Sequence, residues 1–267
     1  MKKKKSVTKK SPVKAAFATS LLVSMAFFSL LTALNLDQIS CYFGINPCVT
    51  GSPRNPAQRN WNNPGAVDNS AATQPFTDYI ADTIFIGDSR TNGLKGYRYV
   101  KPENVYAVDG LNHQDARYDR FINLGTGRLL TITEAVAITQ PARMIVSFGI
   151  NGISFMGEQT FMNEYAAFID ELKAASPNSL IAIQSILPVS HNYELNRPQI
   201  TNEKIDLYNS LLKELAQQKD CRFWDTSSLF KDGYNCLSYE YDCGDGLHFN
   251  TRAYEALLIY LDQHRIL

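Results

Sequence analysis

The chain has 267 residues, 45% of them hydrophobic, which is enough apolar material for one sizeable packed core. The formal net charge is zero, yet seven of the 26 basic residues are lysines within residues 1–14, so the remainder carries an excess of acid. A body of that sign lacks the clustered Lys and Arg that face phosphates in a nucleic-acid complex, and DNA and RNA are set aside as partners.

In chain order, the basic tail 1–14 is followed by Ala15 to Leu36, 22 residues without a charged side chain. At about 1.5 Å per residue such a helix crosses a bilayer core. The exit, Thr32-Ala33-Leu34-Asn35-Leu36-Asp37, matches a small-x-small cleavage site poorly, so the segment 15–36 reads as an uncleaved signal anchor. Lysines stay on the cytoplasmic side, which places the C-terminal bulk outside the cell membrane as a single-pass protein. Residues 37–77 are rich in Asn, Pro, Gly, Ser and Gln, with five of the eleven prolines between Pro47 and Pro75, and read as an extracytoplasmic linker.

Residues 78–267 alternate short apolar runs with amphipathic stretches, the pattern of an α/β domain with a mostly parallel sheet. Five strands are predicted: Thr83–Ile86, Asn104–Val108, Arg143–Phe148, Leu180–Ile186 and Cys221–Trp224. Phe161, Tyr165, Phe168, Ile169 and Leu172 share one helical face, and Ile205, Tyr208, Leu212 and Leu215 another. Tyr254, Leu257, Leu258 and Leu261 mark a last helix, with Asn250 or Thr251 as its cap. An outside location permits disulfides, and Cys41 with Cys48 and Cys236 with Cys243 are the natural pairs, leaving Cys221 as a buried thiol. No cysteine pair has histidines at zinc spacing, and neither a metal nor an organic cofactor is implied.

Ligands of such a sheet bind outside the carboxyl ends of its strands, so the residues just after each strand are the site candidates. The first strand runs into Gly87-Asp88-Ser89, which puts a hydroxyl on a strand-to-helix turn over a helix N-terminus. Near the other end, Asp245 stands three residues before His248, the spacing at which a carboxylate can hold an imidazole tautomer. Gly149-Ile150-Asn151 ends the third strand, and Gly110 follows the second. A phosphate-binding loop is excluded, because no Gly-Lys-Ser or Gly-Lys-Thr follows the first strand.

The ordered set Gly-Asp-Ser, Gly, Gly-x-Asn, Asp-x-x-His resembles the four blocks of the SGNH/GDSL hydrolases across residues 82–250. That resemblance implies a flavodoxin-like three-layer α/β/α sandwich and a serine esterase. It assigns Ser89 as nucleophile, His248 as general base and acid, and Asp245 as the residue orienting it. The oxyanion hole becomes the Ser89 N–H, Gly110 and Asn151, with Gly125 and Gly127 as rivals of Gly110. The chain departs from the family pattern at Arg90 and Gly152. Arg90 is read either as a contact for an anionic or sugar substrate or as a solvated surface residue. Ser185, His191, Asn192 and His113 are further candidates for lining the cleft, and His113 is a runner-up base.

The leading expectation is hydrolysis of acyl esters, O-acetyl groups of cell-surface glycans first. An O-acyltransferase using the same residues with an acyl-donating membrane partner is the alternative. A surface binding module without turnover is a third reading, opposed by the intact Ser, Asn, Asp and His.

Overall fold

The computed structural model describes residues 75–266. The predicted anchor, the linker as far as residue 74, and Cys41 and Cys48 lie outside them. Among the described residues no helix is long and apolar enough to cross a membrane.

Short helix α1 (Pro75–Ala81) leads into β1 (Thr83–Gly87), α2 (Ser89–Gly96) and β2 (Val105–Ala107). Next come α3 (Ile132–Thr139), β3 (Arg143–Ser147), α4 (Glu158–Ala175) and β4 (Leu180–Gln184). The chain ends with α5 (His191–Asn196), α6 (Asn202–Gln218), β5 (Arg222–Trp224) and α7 (Thr251–Gln263). The five strands form one sheet in the order β2-β1-β3-β4-β5, and every pairing is parallel. That is the strand order of doubly wound flavodoxin-like folds, with its switch point between β1 and β3.

Strand periodicity sorts the apolar side chains into two cores. Ile84, Ile86, Met144, Val146, Ile181 and Ile183 pack on one face with residues of α3, α4 and α6. Phe85, Ile145 and Ala182 point to the other face, against Tyr79 of α1, Leu94 of α2 and Tyr254, Leu257 and Leu261 of α7. Helices therefore cover both faces, and strands buried on both sides read in sequence as unbroken apolar runs. The last helix starts where its cap predicts: Asn250 is the N-cap and accepts a hydrogen bond from the Ala253 N–H at 3.2 Å.

The predicted Cys236–Cys243 disulfide is not formed, and both residues are buried thiols. Their sulfurs serve different neighbours. Cys236 Sγ lies 3.5 Å from Asn202 Nδ2 on α6, whereas Cys243 lies near Tyr97, whose phenol pKa is pushed up to about 12 by burial first and by Cys243 second.

Candidate active site

β1 and β3 lie side by side, and the segments leaving their carboxyl ends carry Ser89 and Asn151 to the switch-point crevice. Asp88 follows β1 as the N-cap of α2, its carboxylate accepting from the Arg90 N–H at 3.0 Å. Ser89 is then the first residue of α2, so its own N–H has no acceptor within the helix and points out with the positive end of the helix dipole. The tight turn needs Gly87, where a Cβ would stand 2.1 Å from Thr91 Oγ1 and 2.5 Å from the Ser147 carbonyl oxygen.

Asp245 and His248 reach Ser89 from a loop 159 residues away. His248 Nε2 lies 2.9 Å from Ser89 Oγ, and His248 Nδ1 lies 2.6 Å from Asp245 Oδ2. The other Asp245 oxygen accepts from the backbone N–H groups of Leu247 and His248 at 2.8 and 2.7 Å. Burial pushes the Asp245 carboxyl pKa up, but the bond with His248, its charge and the two N–H groups outweigh burial and hold it at about 2. A carboxylate ionised at neutral pH fixes the proton on Nδ1 and leaves Nε2 free to take one from Ser89.

The base-bearing loop is shaped by hydrogen bonds within itself and by a close approach to Ser190. Asp242 Oδ1 accepts from the N–H groups of Gly244 and Gly246 at 2.8 and 3.0 Å, and Cys243 N–H donates to the His248 carbonyl at 3.0 Å. Gly246 has φ +78°, and a Cβ there would lie 2.2 Å from Ser190 Oγ. Here glycine is required on two counts.

Arg90 corrects the sequence reading, for it neither faces solvent nor lines the cleft. It is buried, at 5% exposure, and donates to three carbonyls: Leu187 at 2.6 Å, Pro188 at 2.9 Å and Leu247 at 3.0 Å. Its guanidinium also stands 5.2 Å from the Phe249 ring centroid. One side chain thus ties the turn after β4 and the residue before His248 to the helix that carries Ser89. Asp88, buried beside it, has its pKa raised to about 6 by desolvation, with the Arg90 charge opposing the shift.

Ser185 and His113 are also withdrawn from the cleft. Ser185 is buried, and its Oγ accepts from the N–H groups of Thr226 and Ser227 at 2.9 and 2.8 Å, bracing the turn after β5. His113 is fully buried against Phe161 and Tyr165, its Nε2 3.1 Å from the Phe161 carbonyl. Desolvation lowers its pKa to about 4. Its packing explains Gly152, whose Cβ would lie 2.9 Å from His113 Cε1. His191 begins α5 and Asn192 follows it; the His191 side chain is exposed.

Asn151 is half-buried, and its Nδ2 donates one hydrogen to the Leu111 carbonyl at 3.0 Å, leaving the second for another acceptor. That bond brings Asn151 beside the turn holding Gly110, which is exposed with φ +77°. Gly125 and Gly127 instead lie in an exposed turn closed by the Ile122–Leu130 bridge. Sequence reasoning missed the roles of Arg90, Asp242 and Gly246, although Asp242-Cys-Gly-Asp245-Gly246 shows the Asp and Gly content of a built loop.

No curated protein matches the chain by sequence. Among solved structures, it is similar to a protein described as a platelet activating factor from Streptococcus pneumonia, at 21% identity, TM-score 0.56, covering 70% of this chain and 89% of that one. A protein described as an acylhydrolase from Bacteroides fragilis matches at 20% identity and TM-score 0.53, over 68% of this chain and 85% of that one. A GDSL-like lipase from Bacteroides thetaiotaomicron matches at 17% identity and TM-score 0.51, over 68% and 86%. At these identities the likeness speaks for the fold. Residues 85–256, which span everything from β1 through the Ser89–His248–Asp245 constellation into α7, match the GDSL-like lipase/acylhydrolase family, and the chain belongs to that family of ester hydrolases.

Proposed function

We propose that this hydrolase is a serine esterase that removes O-acetyl groups from cell-surface glycans through an acyl-enzyme on Ser89. The observation that carries the reading is the unbroken line from Asp245 Oδ2 through His248 to Ser89 Oγ, at 2.6 and 2.9 Å, ending on the N-terminus of α2.

In the first half-reaction His248 Nε2 takes the Ser89 proton as Oγ bonds to the ester carbonyl carbon. The negative oxygen of the tetrahedral intermediate is met by the Ser89 N–H at the helix terminus, the second Asn151 Nδ2 hydrogen and the Gly110 N–H. Collapse breaks the bond to the alcohol, which leaves with the proton held by His248. Water repeats the sequence on the acyl-Ser89 ester and releases the carboxylic acid. Asp245 stays ionised throughout and keeps the imidazole oriented.

The glycan assignment rests on address. The uncharged segment 15–36 behind a lysine-rich tail, with the Pro- and Asn-rich stretch 37–77, would tether the catalytic domain outside the membrane, within reach of surface polymers.

The test is hydrolysis of a short-chain chromogenic acetyl ester and of an O-acetylated glycan by the purified full-length protein in detergent. The reading expects both to be cleaved, and Ser89→Ala or His248→Ala to lower kcat by about 10⁴-fold or more. Acyl transfer to a sugar acceptor with negligible release of free acetate would assign the same residues to an O-acyltransferase. Undiminished turnover in Ser89→Ala would refute the serine mechanism.

A further inference from the structure

Beside the catalytic loop, but outside it, three metal-ligating side chains from separate segments converge. His191 and Glu194 sit on α5, Cys236 lies in the segment after β5, and their ligand atoms all fall within 4.8 Å of one another. Glu194 Oε1 is 3.4 Å from His191 Nδ1 and 3.9 Å from Cys236 Sγ. With bonds of about 2.0–2.3 Å to N, O and S, the edges of a tetrahedral zinc site measure about 3.3–3.6 Å, close to both separations.

The carboxylate is aimed for this purpose. Its far oxygen, Oε2, accepts from the Asn202 backbone N–H at 2.8 Å and from Asn202 Nδ2 at 2.9 Å, which turns Oε1 toward the imidazole and the sulfur. Such an outer bond to a ligating carboxylate is how metal sites orient their ligands.

Donors are also short here. Asn202 Nδ2 has two hydrogens but faces three acceptors: the Val189 carbonyl at 2.8 Å, Glu194 Oε2 at 2.9 Å and Cys236 Sγ at 3.5 Å. Among the described residues the ion-pair partner of Glu194 is His191 alone, so no Lys or Arg pairs with this carboxylate beside the buried Cys236 sulfur. A cation supplies what the corner lacks.

We infer that His191, Glu194 and Cys236 form a binding site for a zinc ion, with water as the fourth ligand. The mixed thiolate, imidazole and carboxylate set favours zinc over magnesium or calcium, which prefer oxygen ligands alone. Binding replaces the Cys236 S–H bond by a zinc–sulfur bond and releases that proton to solvent. His191 is 67% exposed and closes the remaining edge by a side-chain rotation. The ion clasps α5 to the segment that leads into the base-bearing loop. Ser190, one residue before His191, already holds that loop through its N–H bond to the Gly246 carbonyl at 2.8 Å. The site escapes a reading of sequence spacing because Cys236 stands 42 residues from Glu194.

The experiment is titration of metal-stripped full-length protein in detergent with zinc chloride, paired with cobalt(II) substitution to look for a thiolate-to-cobalt charge-transfer band. The wild-type protein is expected to bind one equivalent and to show the band. Cys236→Ser should abolish the band, and both Cys236→Ser and His191→Ala should weaken zinc binding at least about tenfold. Cys221→Ser should retain wild-type binding. His191 is exposed, so its replacement leaves the fold intact and keeps the test decisive if Cys236→Ser misfolds. Absence of bound zinc in the wild-type protein, or wild-type affinity in His191→Ala, overturns the site.

Discussion

The two halves of the catalytic constellation are held by different physics. Ser89 sits where a strand paired on both sides becomes a helix, so backbone hydrogen bonds and the cap from Asp88 place it. His248 sits in a loop, where the Asp242 carboxylate, the left-handed Gly246 and the buried Arg90 set its position. Regular structure fixes the nucleophile; side-chain-to-backbone bonds fix the base. The base side should therefore be the easier one to disturb by substitution remote from the chemistry.

Among changes that leave Ser89 and His248 in place, the largest effect is expected from Asp245→Asn, which keeps the shape but removes the charge that selects the imidazole tautomer. We expect kcat to fall by about 10³–10⁴-fold with little change in KM, measured on the chromogenic ester. An unchanged kcat would detach Asp245 from the mechanism. The same carboxyl is ionised to about 2 in the folded chain against 3.8 ordinarily, so its contribution to stability is present above 3.8 and is lost as pH falls toward 2. Asp245→Asn should flatten that part of the stability curve.

Arg90→Leu comes next, because it removes the side-chain donor from two buried carbonyls, Leu187 and Pro188, and from the half-buried Leu247 carbonyl. A loss of about 3 kcal/mol in denaturant unfolding is expected, with a fall in kcat as the loop loosens. The variant also removes the cation that opposes the raised pKa of Asp88, now about 6. A raised carboxyl favours folding below 3.8 and loses that contribution as pH rises through its folded pKa, so in Arg90→Leu the loss should extend to higher pH. Full stability in Arg90→Leu would show that the clamp does not bear on the loop.

Gly246→Ala should have the smallest effect, about 1–2 kcal/mol from a left-handed φ and the contact with Ser190 Oγ, seen as a lower Tm and a reduced kcat. At the far end of the nucleophile's helix, Gly96→Ala meets no atom within 4 Å and serves as the control that should leave kcat unchanged. An unchanged Tm and kcat in Gly246→Ala would show that the left-handed turn does not help to place His248.

What could be read from sequence follows the same division. The five strands were legible because parallel strands buried on both faces are continuous apolar runs, and Ser89 stood out by following one of them. Asp245 and His248 were legible as a pair three residues apart. The partners of Arg90 were not, because Leu187, Pro188 and Leu247 lie 97, 98 and 157 residues away and offer only carbonyls, which every residue has. His113 and Ser185 looked like cleft residues from their place after strands. Their side chains instead turn inward to packing and backbone contacts that local spacing does not encode.

The central claim is that Ser89 is a nucleophile activated by His248. Stoichiometric reaction of the full-length protein with an organophosphonate serine probe, followed by peptide mass spectrometry, tests it most directly. The account predicts one adduct, on Ser89, absent in Ser89→Ala and formed far more slowly in His248→Ala. An adduct on another residue, or labelling of Ser89 at the same rate without His248, would contradict it.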